Sequence, residues 1–406
     1  MKKKGIVFLS FVLVLEAQNI DISKFYYRDY LDFGQNKGAF SSNGSPTITN
    51  KDGTEFKIPQ TPNFSASSNN GNLTAVGRGF AVTANHVVSF TPEYDSTGVY
   101  RKFGLTSYKV SGDREGDSVS QPYGRDEKFT RFDKYVVEGQ VDMLDFENSI
   151  DKQDTTKENK NLNAFNEKLN DLKNEKGEIY LYQTGSGIIT LRDGYTTLDS
   201  SINRNENGET RGGGFGTLIK DSARYESLVL PSEFCDRETQ NCSVRGIMFK
   251  YASNLEFNNR ITSGDSGSGI YAYDNKNNKW VLLGVTSQST ASNVAYIAAV
   301  SNKDLQDYKK NFEQTINLKI TEPNLIEWTL KNNTLEYGAR GDTPKQTHTL
   351  QQNKDIIFSG GGTIQVQENI QLNQDRVGAG GFVFEKANTE TTYKFTNANG
   401  GGQLFF

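Results

Sequence analysis

The sequence predicts an all-β fold, a sandwich or a pair of barrels, running into the first turns of a parallel β-solenoid. Two observations carry this. Short apolar or alternating runs recur through the middle of the chain, separated by clusters of Gly, Asn, Asp and Ser. After about Ser301 the runs shorten further and glycine corners bound them. The 406 residues exceed one ordinary core and fit two or three folded units of roughly 100–200 residues each.

Composition narrows the function classes. With 45 basic against 49 acidic residues and a net charge of -4, the chain lacks the concentrated positive field of a nucleic-acid binder. Aromatics at 11% are too plentiful for a disordered chain. A hydrophobic fraction of 34%, a mean hydropathy of -0.64 and no apolar run of about 18 residues exclude a multispanning helical membrane protein. Two cysteines can build neither a disulfide-dense scaffold nor a four-cysteine zinc site. There is no Cys/His cluster and no phosphate-cradling glycine loop, so no metal and no cofactor is expected.

The elements follow in chain order. Met1-Lys2-Lys3-Lys4 is a basic start, and Ile6 to Leu15 is an apolar run of signal-peptide length. Residues 1–17 are therefore expected to be a leader, although Leu15 and Glu16 fit the small-residue cleavage rule poorly; a buried first strand is the alternative. Export permits a disulfide between Cys235 and Cys242, and their closeness in an exported chain favours it over free thiols. Residues 18–300 form the first folded unit. Phe80–Ala84, Tyr135–Glu138, Ile179–Tyr182, Ile188–Leu191 and Trp280–Val285 read as its strands. Asp151–Lys176 departs from the pattern: Leu162, Phe165, Leu169 and Leu172 are spaced for one helical face, against a disordered excursion. Residues 301–406 begin with a bridging helix over Leu305–Phe312. Brief strands such as Ile356–Phe358, Thr363–Val366 and Phe382–Phe384 follow. The pattern stops without a polar cap, so the chain is expected to be part of something longer.

One constellation carries chemistry. Ser263-Gly-Asp-Ser266-Gly-Ser-Gly269 puts a serine between glycines. A serine hydroxyl needs a base to take its proton and donors to hold the oxyanion that results. Gly264 lets the backbone turn so that the amides of Gly264 and Ser266 converge on one spot. Glycine-flanked serines also occur in plain turns, so a second element has to decide. Val82-Thr-Ala-Asn-His86 supplies it, with one of only two histidines at a strand end. Histidine's ordinary pKa, near 6.5, suits it to take up and return a proton at neutral pH. A lone histidine is more often structural; a histidine at a strand end upstream of Gly-Asp-Ser-Gly reverses that preference. The acid that would orient it lies between them in the chain, where Asp126, Asp142 and Asp145 all remain candidates.

Further segments point the same way. They are Asp21-Ile-Ser-Lys24, Arg28-Asp-Tyr-Leu-Asp32, Gln35-Asn-Lys-Gly38, Phe80-Ala-Val-Thr-Ala-Asn-His86 and Asp126-Glu-Lys-Phe-Thr-Arg131-Phe-Asp-Lys-Tyr-Val-Val-Glu138. Asn259-Arg-Ile-Thr-Ser-Gly-Asp-Ser266-Gly-Ser-Gly269, Lys279-Trp-Val-Leu-Leu-Gly284, Phe358-Ser-Gly-Gly-Gly362 and Gly380-Gly-Phe-Val-Phe384 complete the set. In this order they resemble the serine protease autotransporters, secreted enterobacterial toxins related to immunoglobulin A protease. The resemblance spans nearly the whole chain.

It implies a chymotrypsin-like double β-barrel protease domain mounted on a right-handed parallel β-helix. It implies Ser266 as nucleophile, His86 as general base, Asp126 as orienting acid, and Gly264 and Ser266 as the oxyanion hole. Ser287, Gln288 and Ser289 would line the substrate pocket, and Arg260 would stand at its floor, where it could select an acidic side chain. The expected product is a monomeric secreted endopeptidase, reaching the exterior or cell surface through the periplasm and cutting extracellular or host proteins. Complete members carry more solenoid and an outer-membrane translocator barrel, for which this sequence has no room. The competing reading is a binding or adhesion module on the same scaffold. Arg340-Gly341-Asp342 is read as a chance tripeptide in a turn-rich stretch rather than an adhesive signal.

Overall fold

The computed structural model describes residues 24–77, 79–87, 100–110, 126–132, 135–148, 155–187, 209, 211–219, 223–229, 243–252, 257, 261, 264–289, 294–310, 316–321, 327–331, 334–339, 342–349, 355–366, 370–371, 382–385, 392–397 and 404–405. Residues 1–17, both cysteines, Arg260 and the expected strand at Ile188–Leu191 lie outside them.

Helix α1 (Tyr27–Gln35) opens the described chain and buries Tyr30, Leu31 and Phe33. Its rings gather round Phe257, with Tyr30 stacked on it at 4.6 Å and Phe33 edge-on at 5.5 Å. The buried Arg211 fastens the helix end, donating to the carbonyl oxygens of Gly34 at 2.9 Å and Ser67 at 2.6 Å. Glu209 lies 3.3 Å from the same guanidinium, so the buried charge is paired. The hairpin β1 (Thr47–Thr49) with β2 (Glu55–Lys57) follows.

Two separate antiparallel systems make the body. The first is a three-stranded sheet of β3 (Thr74–Ala75), β4 (Phe80–Thr83) and β7 (Lys128–Arg131), beside the hairpin of β5 (Tyr100–Phe103) and β6 (Thr106–Lys109). Ala75, Ala81, Phe103, Tyr108, Phe132 and Val136 pack into one apolar cluster here. The second takes in β8 (Asp142–Met143), β9 (Tyr180–Gly185), β10 (Gly212–Leu218), β11 (Arg224–Val229), β12 (Ser243–Ala252), β13 (Gly269–Asp274), β14 (Lys279–Ser289) and β15 (Val294–Ala299). Its order is β10-β9-β13-β14-β15-β12-β11; β8 lies parallel to β14, and β10 also pairs with β12 at Thr217↔Ala252.

Helix α2 (Thr155–Asn170) occupies the charged insertion, between β8 and β9. Phe165, Leu169 and Leu172 reach the core of the second sheet with Phe146 and Phe249, and Leu162 packs at its margin. Leu162, Phe165 and Leu169 lie on the helix as their spacing predicts, and Leu172 follows in the turn beyond its end. Tyr135–Glu138 is not a strand. The Val137 amide donates to the Tyr108 hydroxyl at 3.2 Å, leaving no ladder partner there, and Val137 is 80% exposed. Helix α3 (Asn302–Lys310) packs back on the body through Leu305 and Tyr308.

The tail changes pairing direction. Strands β16 (Ile316–Ile320), β17 (Glu327–Lys331), β18 (Thr334–Gly338), β19 (Gln346–Thr349), β20 (Asp355–Phe358), β21 (Gly362–Val366), β22 (Ile370–Gln371), β23 (Phe382–Phe384), β24 (Tyr393–Asn397) and β25 (Leu404–Phe405) include three parallel stacks. These are β16-β20-β23, β17-β21-β24 and β22-β25. In-register parallel stacking places like on like: Phe358 lies over Phe384 with rings 5.3 Å apart and 10° from coplanar. The antiparallel meander β17-β18-β19 branches from the second stack and was not expected from the sequence.

Candidate active site

Strand β4 is buried along its whole length and runs antiparallel to β7, with Phe80 opposite Arg131 and Thr83 opposite Lys128. Antiparallel register puts the end of one strand beside the start of the other. After Thr83 the chain turns, closed by the Val87 amide on the Ala84 carbonyl at 3.1 Å, and presents His86. Asp126, two residues before Lys128, arrives next to it. The His86 Nδ1 lies 2.9 Å and 3.0 Å from the two Asp126 carboxylate oxygens, and the His86 amide donates to Oδ1 at 3.2 Å. Asp126 is only 2% exposed, so this carboxylate faces His86 rather than water.

Ser266 comes from the other system, on the loop before β13. Its Oγ lies 2.8 Å from His86 Nε2. An ionised carboxylate only accepts, so Nδ1 carries the proton and Nε2 is left to accept from the serine hydroxyl. Main-chain bonds lock the loop. Gly267 donates to the Thr286 carbonyl at 2.9 Å, Thr286 to that of Ser268 at 2.8 Å, and Ser268 to that of Asp265 at 2.9 Å. The Asp265 carboxylate is buried and accepts from the Gly187 amide at 2.7 Å. Among the described residues the amides of Gly264 and Ser266 have no acceptor. Gly264 and Gly267 have φ of 98° and 83°, which side-chain-bearing residues rarely adopt. At Gly267 a Cβ would also overlap Thr83 Oγ1 and sit 2.7 Å from the Asn72 carbonyl oxygen, so the serine loop presses directly on the histidine strand.

The structure parts the sequence candidates. Asp142 is on β8 with its carboxylate on Lys279 Nζ at 2.7 Å, and Asp145 is exposed; of the three, Asp126 is bonded to His86. His348 lies on β19 in the tail, opposite Leu335. Gln288 is exposed on β14, and Ser289 is opposite Ala295 on β15. Ser287, expected on a pocket wall, is buried, and its hydroxyl donates to Asp126 Oδ2. The cause is a β-bulge. Thr286 pairs with Ile297 and Gln288 with Tyr296, leaving Ser287 as the extra residue. Bulges re-aim a side chain, and nothing local in the sequence marks this one. Arg340 and Gly341 lie outside the described residues, and the Asp342 carboxylate is occupied by the Ala339 amide at 2.9 Å.

One charged neighbour was also missed. Lys128 is 3% exposed and donates from Nζ to the Val87 carbonyl at 2.9 Å. Burial lowers its pKa to about 8; the Asp126 carboxylate works against that shift and the Arg101 guanidinium with it.

A buried carboxylate, an imidazole and a serine hydroxyl thus stand in hydrogen-bonded sequence on a β-rich body. Residues 18–304 match the peptidase S6 family, immunoglobulin A1 protease, and the chain belongs to that family. It is 31% identical over 404 residues to the serine protease pet autotransporter of Escherichia coli O44:H18, covering 96% of this chain and 26% of that protein. It is 29% identical over 406 residues to the serine protease EspP of Escherichia coli, covering 97% of this chain and 26% of EspP. The chain thus spans about a quarter of the length of these curated relatives. Two solved structures share the fold. The passenger domain of plasmid encoded toxin from enteroaggregative Escherichia coli has a TM-score of 0.59 at 24% identity, over 95% of this chain and 34% of that one. The Haemophilus influenzae Hap adhesin gives 0.53 at 16% identity, over 93% of this chain and 41% of that one.

Proposed function

We propose that the chain is the protease-bearing part of a secreted serine endopeptidase that cuts extracellular or host proteins through an acyl-enzyme. The observation that carries this is the continuous path from Asp126 through His86 to Ser266, with Nε2 2.8 Å from Oγ. The Ser266 oxygen attacks the scissile carbonyl carbon while its proton passes to His86 Nε2. The carbonyl electron pair moves onto oxygen, and the amides of Gly264 and Ser266 receive that oxyanion. The tetrahedral species collapses, the C–N bond breaks, and His86 gives its proton to the departing amine. Water, activated by the same imidazole, releases the acid and restores Ser266. Asp126 stays ionised and holds the imidazole in the tautomer the cycle needs. Ser287 holds Asp126 in turn, while Gln288 and Ser289 lie on the strand edge that would pair with substrate backbone.

The same reading covers the architecture. The pairings of β9, β10 and β12–β15, which lead back from β12 to β10, support a barrel. The parallel stacks of the tail support a β-helix stalk. It also carries a leader over residues 1–17, a Cys235–Cys242 disulfide and Arg260 at the pocket floor as parts of the proposal. The test is to map the cleavage sites that the purified chain makes in an extracellular proteome, with Ser266→Ala as control. New termini should appear with the native chain alone, and an acidic residue before the cut would support Arg260 in the pocket. Equal cleavage by Ser266→Ala, or none by the folded native chain, would contradict the proposal.

A further inference from the structure

We propose that Lys128 is a positioning residue for this site: its buried ammonium clamps the Val87 carbonyl and so holds the His86 turn in register with Asp126. The inference rests on the serine-protease reading above. The ladder between β4 and β7 ends at Thr83↔Lys128, and both strands then leave the sheet. His86 lies three residues beyond that last pair and Asp126 two residues before it, so backbone pairing alone does not fix their separation. Three groups among the described residues bridge the gap. The His86 amide and the His86 ring bind Asp126, and the third, Lys128 Nζ, donates to the Val87 carbonyl at 2.9 Å. The third is the one that involves no reacting group, and it grips the residue immediately after His86.

The ammonium of a lysine that is 3% exposed is costly to bury unless it is hydrogen-bonded and neutralised. Val87 supplies an acceptor and Asp126 the opposite charge, while Arg101, on β5, opposes it. Burial outweighs Asp126 and pulls the pKa to about 8, where the clamp can lose its charge within the ordinary working range of an enzyme. The sign follows directly. Below pH 8 the clamp is a charged donor and Asp126 keeps its cation; above it, a neutral amine donates more weakly and the carboxylate stands unbalanced. Activity therefore falls as pH rises through about 8.

The test is the rate at which a fluorophosphonate probe labels Ser266 between pH 6 and 10, in the native chain, Lys128→Met and Lys128→Arg, each checked for fold by circular dichroism. The native rate should fall on the alkaline side with a midpoint near 8. Lys128→Met should lower the rate at pH 7 by about tenfold or more and abolish that fall. Lys128→Arg, charged throughout the range, should recover much of the neutral-pH rate with no fall below pH 10. A native rate that stays level to pH 10 overturns the proposal by itself, whatever the variants do, as does a Lys128→Met profile that keeps the alkaline limb. A folded native chain unlabelled at every pH sinks the protease reading instead.

Discussion

Ser266 is held mainly by main chain, while His86 and Asp126 are held mainly by side chains. On the serine side, the amides of Gly267 and Ser268 and the carbonyls of Asp265 and Ser268 are bonded within the loop and to Thr286. On the other side, the fastenings are the imidazole itself, the Ser287 hydroxyl and the Lys128 ammonium. Backbone bonds depend on glycine conformation and close approach; side-chain bonds depend on chemical identity and protonation. The two halves should therefore fail differently. Changes on the serine side should damage geometry and stability together, and changes on the other should damage chemistry in a protein that still folds.

Asp126→Asn is the largest expected effect on that contrast. The amide leaves the shape nearly unchanged, but an N–H₂ presented to Nδ1 selects the wrong tautomer. Turnover should drop by about 10⁴-fold with the thermal midpoint little altered. Gly267→Ala should behave in the opposite manner. The added methyl meets Thr83 and Asn72 and the φ of 83° is strained, so stability should fall by roughly 2–4 kcal/mol. Labelling of Ser266 should weaken in parallel; a variant as stable as the native chain would mean that the two halves are not in contact there. Ser287→Ala is the smallest of the three. Losing one hydrogen bond to a carboxylate should slow turnover by about 10- to 100-fold, and unchanged turnover would remove Ser287 from the support of Asp126.

The proposed nucleophile and base were legible in the sequence because each had little competition: two histidines in all, and one Gly-Asp-Ser-Gly run. The proposed acid was legible only through the family resemblance, which pointed to Asp126; spacing alone left Asp142 and Asp145 beside it. The β4–β7 register brings Asp126 beside His86, while Asp142 turns toward Lys279. Ser287 and Lys128 were hidden for related reasons. A bulge re-aims Ser287, and Lys128 has the sequence context of any solvated lysine until the strand that carries it is seen to be buried. Strand reading succeeded where apolar residues alternate or cluster, as in β4 and β14. It failed at Tyr135–Glu138, where a tyrosine hydroxyl takes the amide a neighbouring strand would need. Glycine corners marked the tail's short strands, but the antiparallel branch β17-β18-β19 depends on pairing partners that no local pattern specifies.

Everything proposed for this chain requires that the Ser266 oxygen be unusually reactive because His86 accepts its proton. Mass spectrometry of the fluorophosphonate-treated native chain beside His86→Ala measures this most directly. One adduct on Ser266, formed rapidly in the native chain and at least about 10³-fold more slowly in the folded variant, is the expected result. An adduct that forms equally fast without the imidazole, or none on the folded native chain, would contradict it.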